Sequence, residues 1–273
     1  MQHQEFTFQL HNTDFRGAYW QVENPKASVV IVHGMGGHLF RYQHVAERLI
    51  SENFNVVAYD NFGHGKTSGK RGHNPNFDAL LDVIDFNIQK AIELTPEKPV
   101  FLYGHSMGGN LVINYTLKRN HKLKGVVATS PFLKLAFEPP KWKMFAGKIL
   151  QKIAPSVTLG NELDANFISR DPKEVQRYND DDFVHDRISP NYSITILKTG
   201  AWAIANSNKL NTPMFVIHGT DDKIISHKGS IDFCYNTNLA ELQLIDGGYH
   251  ELQNDICKEE FLDAVSNWLN QQV

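Results

Sequence analysis

Five short apolar runs recur along the chain, and a stretch with helical spacing follows most of them. "SVVIVHG" (28–34), "NVVAYD" (55–60), "PVFLYG" (99–104), "GVVATSP" (125–131) and "PMFVIHG" (213–219) are apolar throughout, without the polar alternation of a strand that faces water. Between the second and third runs, Phe77, Leu80, Leu81, Ile84 and Ile88 recur at spacings of three and four, which is one face of a helix. Strands apolar on both faces and separated by helices predict a parallel sheet covered on both sides. "LQLID" (242–246) extends the series, and a final helix is expected from about 254. At the start, "EFTFQL" and "AYWQV" read as an antiparallel hairpin. In such a sheet, sites form at the carboxyl ends of the strands.

The alternation breaks between 131 and 200, too long a gap for a plain loop. "FEPPKWKMFAGKILQKIAPS" places Trp142, Phe145, Ala146, Ile149, Leu150 and Ile153 on one helical face, with Lys141, Lys148 and Lys152 on another. The segment 131–200 is therefore expected to be an inserted helical cap, with residues 1–130 and 201–273 forming the core. Its apolar face admits two readings. Facing the cleft it would suit a long acyl chain, with the lysines marking an interfacial helix that leans on an anionic membrane surface. Alternatively it packs on the core and leaves the lysines solvated.

Composition narrows the function classes. In 273 residues, 41% are hydrophobic and 21% charged, as in globular proteins, and the formal net charge of −3 gives no basic excess for nucleic acid. The N-terminus lacks a charged start leading into an apolar run, so no signal peptide is expected. No uninterrupted apolar stretch reaches the roughly 18 residues of a membrane span. Two cysteines, Cys234 and Cys257, point to free thiols in a reducing compartment, and a cytoplasmic protein is expected.

Two glycine-rich runs invite a phosphate reading and fail it. "GHGKTSG" (63–69) has Asp60 where a phosphate loop needs its first glycine, and it leads into a loop instead of a helix. "HGMGGHL" (33–39) has Leu39 where a dinucleotide fingerprint needs glycine. His33, His38 and His64 match no zinc spacing, so neither a metal nor an organic cofactor is expected.

"YGHSMGG" (103–109) follows a strand and opens a helix, and it matches G-x-S-x-G through Gly104, Ser106 and Gly108. Glycines are needed where neighbouring chain crowds a turn that pushes the serine into the cleft. A serine hydroxyl needs a base, and in this architecture acid and then histidine follow the serine in the chain. Of the histidines after Ser106, His121 lies near a helix end, His185 in the cap, His218 inside a strand and His227 at a helix start. His250 lies in a loop at the carboxyl edge, where the serine should emerge, and is the candidate base. After "PMFVIHG", "TDD" offers Asp221 and Asp222 as the acid, and spacing leaves the two open. Backbone amides would form the oxyanion hole: Met107, next to the nucleophile, and Met35, in the loop after "SVVIVHG".

These stretches, with "VHGMGGHLFRY", "YDNFGHGKTSGKRG", "ISRDPKEVQRYNDDD", "HGTDDKI" and "GGYHELQND", resemble the monoacylglycerol lipase and lysophospholipase group of the α/β-hydrolases, from about residue 6 to 270. The resemblance implies a mostly parallel eight-stranded sheet with helices on both faces and a helical cap. It implies Ser106 as nucleophile, Asp222 as acid and His250 as base, with Met35 and Met107 as oxyanion donors. Gly34 and His105, which flank these positions, are expected to meet the substrate. The implied substrate is a single-chain lipid ester, most readily a monoacylglycerol. Lysophospholipids, small esters and, less readily, peptides are the alternatives within the fold, and a silent binding module is the alternative outside enzymes. The cap is the expected place for any peripheral membrane contact. Lys66 and Thr67 become incidental members of a structural turn. The chain departs from the group at Gly37, where glutamate is frequent, at Asn61 and Phe62, and at Asp181, Asp182 and Phe183.

Overall fold

The computed structural model describes residues 3–273. Strands β1 (Gln4–Leu10) and β2 (Thr13–Trp20) form the N-terminal hairpin. They are followed by β3 (Ala27–Val32), α1 (Gln43–Ser51), β4 (Phe54–Tyr59), α2 (Phe77–Leu94), β5 (Val100–His105), α3 (Met107–Lys118) and β6 (Gly125–Thr129). The cap region holds α4 (Lys141–Ile153), β7 (Leu159–Gly160), α5 (Pro172–Asn179) and β8 (Arg187–Ile188). Helix α6 (Pro190–Ala205), β9 (Met214–Gly219), α7 (His227–Tyr235), β10 (Ala240–Ile245) and α8 (Lys258–Gln271) complete the chain.

The main sheet has eight strands in the order β1-β2-β4-β3-β5-β6-β9-β10. Strands β1 and β2 are antiparallel to each other, β2 is antiparallel to β4, and the pairs from β4 through β10 are parallel. Because side chains alternate across a strand, the apolar runs feed two cores. Val30, Val32, Leu102 and Val216 point to one face, where Leu80 and Ile84 of α2, Leu111 of α3 and Phe233 of α7 cover them. Val29, Ile31, Phe101 and Phe215 point to the other, under Val45 and Leu49 of α1 and Phe261 and Trp268 of α8. Side-chain caps start several helices: Asn76 accepts from the Ala79 amide, and Ser189 accepts from the Tyr192 amide ahead of a proline at the first turn.

The junction expected at residue 200 falls inside α6. Tyr192, Ile196 and Ala203 of this helix are buried in the same core as the sheet residues, so α6 belongs physically with the core. The cap helix α4 leans on α6, where the Cβ position of Gly147 lies 3.0 Å from Ile194 Cδ1 and Gln151 Nε2 donates to Thr195 Oγ1 at 3.1 Å. That contact turns the rest of α4 outward. Trp142, Phe145, Ile149 and Ile153 are exposed, so they do not pack on the core. No helix of the described residues is long and apolar enough to cross a membrane.

Candidate functional site

The nucleophile candidate sits at a forced turn. Ser106 has φ 54° and ψ −114°, a region that non-glycine residues avoid. The turn closes because Gly104 and Gly108 have no side chain. A Cβ at 104 would run into the Gly108 carbonyl, and one at 108 into the Val32 carbonyl of β3. The Ser106 amide donates to the Thr129 carbonyl at 2.9 Å, which fixes the turn to β6.

Ser106, Asp222 and His250 come together at the carboxyl end of the sheet from the turns after β5, β9 and β10. His250 Nε2 lies 3.0 Å from Ser106 Oγ, and His250 Nδ1 lies 2.6 Å from Asp222 Oδ2. Asp221, the other acid that spacing left open, points to solvent while its amide donates to the Gly248 carbonyl. The remaining oxygen of Asp222, Oδ1, accepts from the Ile224 and Ile225 amides, both at 2.9 Å. Burial would raise the Asp222 carboxyl, but the imidazoles of His250 and His218 hold it far below the usual carboxylate range. Burial likewise opposes charge on His250, yet the Asp222 carboxylate and its hydrogen bond outweigh it and hold the ring above the ordinary histidine value.

His218 is the site residue that reading the sequence missed. Placed by the sequence only inside a strand, it lies behind the acid, with Nε2 3.1 Å from Asp222 Oδ2 and Nδ1 2.8 Å from Ser230 Oγ. Asp222 Oδ2 therefore accepts from two histidines. The available signal was a histidine in an otherwise apolar strand, and the structure buries it wholly.

The Met35 and Met107 amides have no hydrogen-bond partner among the described residues, which leaves both free to donate to a ligand. The loop that carries Met35 is fixed on several sides. The Asn61 amide donates to His33 Nε2 at 2.8 Å, so His33 Nδ1 donates to the Gly34 carbonyl at 2.7 Å. The Gly34 amide donates to Tyr42 Oη at 3.2 Å. From the cap, the His185 amide donates to the Gly36 carbonyl at 3.1 Å, and Asp181 pairs with His38 at 2.8 Å. Burial pushes His33 down to about 3, so the ring is neutral.

Gly34 and His105 are buried beside the nucleophile. His105 is buried, its Nδ1 is 2.9 Å from Thr129 Oγ1, and burial with the neighbouring His250 pushes it down to about 3. A Cβ on Gly34 would meet the His105 ring at 3.1 Å and Ser106 Cβ at 3.3 Å. The "GHGKTSG" loop is built round Asp60, whose carboxylate accepts from the Leu39 and Lys66 amides, both at 2.8 Å. Thr67 is less incidental than expected, since its hydroxyl donates to the Asp60 carbonyl at 2.8 Å and accepts from the Arg16 amide at 3.2 Å. Two clefts of about 590 and 210 Å³ border the cap, and none of the three site residues lines either. Ser106 is only 7% exposed.

The family model described as Serine aminopeptidase, S33 (Hydrolase_4) matches residues 23–256. The chain belongs to this family. A solved monoacylglycerol lipase of Paleococcus ferrophilus superposes on the hydrolase with a TM-score of 0.88 at 35% identity, over 95% of this chain and 99% of that one. A monoacylglycerol lipase of Mycolicibacterium smegmatis is 30% identical over 250 residues, 90% of this chain and 89% of the relative. An uncharacterized abhydrolase domain-containing protein of Dictyostelium discoideum is 35% identical over 253 residues, 91% of this chain. The chain spans only 27% of the length of that relative. The fold is the α/β-hydrolase fold.

Proposed function

We propose that this hydrolase cleaves carboxylic esters of single-chain lipids, monoacylglycerol first among them, through an acyl-enzyme on Ser106. The observation that carries the reading is the hydrogen-bonded series Ser106–His250–Asp222 beside two unpartnered amides. His250 Nε2 takes the Ser106 proton as Oγ attacks the acyl carbon. Asp222 holds the ring in the Nδ1–H tautomer and stabilises the imidazolium that forms. The Met35 and Met107 amides donate to the developing oxyanion, each worth about 3 kcal/mol of transition-state stabilisation. The imidazolium then protonates the departing alcohol, and a water molecule repeats the sequence at the acyl-enzyme. These steps use only side chains and backbone of the chain, with no metal or organic cofactor.

The lipid substrate is supported by the names of the relatives, two of them monoacylglycerol lipases, and by the outer face of α4. That face presents Trp142, Phe145, Ile149 and Ile153 to solvent, with exposed Lys141, Lys148 and Lys152 on the same helix. An exposed apolar strip beside lysines suits the boundary of an anionic bilayer, where the cap would open over its substrate.

The test is release of fatty acid from a long-chain 1-monoacylglycerol by the purified protein beside Ser106→Ala. Rapid release that falls by roughly a millionfold in the variant supports both parts of the reading. Cleavage of short synthetic esters alone would keep the serine mechanism and discard the lipid substrate, and equal rates in both proteins would discard the mechanism.

A further inference from the structure

Glu251 directly follows the proposed base, and its carboxylate faces Arg41 instead of solvent. Arg41 Nη2 donates to Glu251 Oε2 at 2.6 Å, with the two side chains 8% and 11% exposed. Asn254 Nδ2 donates to the same oxygen at 2.8 Å. Removing two charges from water carries a desolvation cost that their attraction often fails to offset, so stability alone is a poor reason for a buried pair.

Its location supplies a better reason. Arg41 lies in the 3₁₀ turn Leu39–Tyr42, directly after the loop that carries Met35. Glu251 lies in the loop that carries His250, and its amide donates to the Ile168 carbonyl of the cap at 2.8 Å. The Tyr178 ring of α5 lies 4.8 Å from the guanidinium carbon. A Cβ on Gly37 would stand 3.6 Å from Arg41 Cδ, so the Met35 loop passes beside Arg41 but offers it no carboxylate there. The partner arrives from the histidine loop instead.

We propose that the Arg41–Glu251 pair is a positioning device: it couples the histidine loop to the oxyanion loop and sets a fixed negative charge beside the His250 imidazole. The inference rests on the Ser106–His250–Asp222 reading. Asp222 and Ser106 bond His250, the His105 ring lies 4.9 Å from it, Glu251 is its neighbour in the chain, and His218 stands behind Asp222. Arg41, Tyr42, His44, Tyr103, His105 and Tyr178 surround Glu251. Burial favours a neutral Glu251, but Arg41, His105 and the Asn254 amide hold its carboxyl down at about 2. Both members of the pair therefore keep their charge through the working range of a histidine base.

The test is kcat and KM for a short-chain p-nitrophenyl ester as a function of pH. In Glu251→Gln the negative charge is lost at nearly constant shape. The expected result is a kcat reduced by about tenfold or more, because small misplacements of a base are costly, with KM within twofold. The acidic limb of kcat/KM should move to lower pH, since the imidazolium has lost a neighbouring anion. The double variant Arg41→Met/Glu251→Leu removes both charges in roughly the same volume, an exchange often neutral or stabilising for a fold. It should hold the wild-type melting temperature while kcat stays low and the limb stays displaced. A double variant with wild-type kcat and wild-type limb overturns the proposal. So does a Glu251→Gln protein that loses melting temperature alone. Activity that survives in Ser106→Ala, run alongside, would instead mark failure of the triad reading.

Discussion

Truncating the outer face of α4 should separate membrane contact from chemistry. Trp142, Phe145 and Ile153 are 68%, 67% and 73% exposed, and Ile149 is 42% exposed. Fully transferring such a side chain from water to an apolar medium gains about 1.5–3 kcal/mol. Scaled by exposure, each contributes about 1–2 kcal/mol to partitioning, and Trp142→Ala/Phe145→Ala removes about 3 kcal/mol. That corresponds to roughly a hundredfold in the partition constant. The fold should not notice, because exposed substitutions usually stay within about 0.5 kcal/mol, or some 2 °C in a chain of this size. The assay is co-sedimentation with phosphatidylcholine vesicles containing anionic lipid, read beside hydrolysis of vesicle-borne monoacylglycerol and of a short p-nitrophenyl ester. The expected outcome is weaker binding and slower cleavage in vesicles, with the short-ester rate unchanged. Equal sedimentation of wild type and double variant refutes the reasoning, and a large fall in melting temperature would show that the face packs inside the protein.

Three other results follow from the geometry. Asp222→Asn should lower kcat/KM by about 10⁴. Because Asp222 holds His250 above the ordinary histidine value and the base must be deprotonated, the wild-type acidic limb should lie above that value and move down in the variant; a stationary limb contradicts the assignment. Gly108→Ala, whose Cβ would enter the Val32 carbonyl, should cost about 3 kcal/mol, whereas Gly37→Ala meets only ordinary contacts and should stay within about 0.5 kcal/mol, both by chemical denaturation. Glu251 is held down at about 2 against an ordinary 4.5, so its contribution of about 3 kcal/mol is complete above pH 4.5 and lost as pH falls toward 2. Acid titration of stability should show that slope, and Glu251→Gln should lack it.

The parts of this molecule that depend on local chain chemistry are legible in the sequence. The apolar runs announced buried strands because burial on both faces removes polar alternation. The glycines around Ser106 announced a crowded turn, and both collide with backbone carbonyls if given a side chain. Contacts between distant segments were not legible. Nothing in the spacing of "TDD" separates Asp221 from Asp222, because the choice is made by where His250 arrives from a different strand. Arg41 and Glu251 are 210 positions apart and meet only through the fold. The faces of α4 could be listed from periodicity, but the partner of the helix could not. Gly147 and Gln151 meet α6, and that contact turns four large apolar residues outward.

The crowding at Gly108 also has a consequence for how such a protein can change over generations. The nucleophile turn is wedged against the backbone of β3 with no room for a side chain, so almost any alteration there is paid in folding. The cap instead meets the core through polar groups on loops, among them the His38–Asp181 pair, Arg170 on Asp255 and the His185 amide on Gly36. Descendants that adapt to a different alcohol or acyl chain are expected to accumulate their differences between residues 131 and 189, while the strand ends beneath stay frozen.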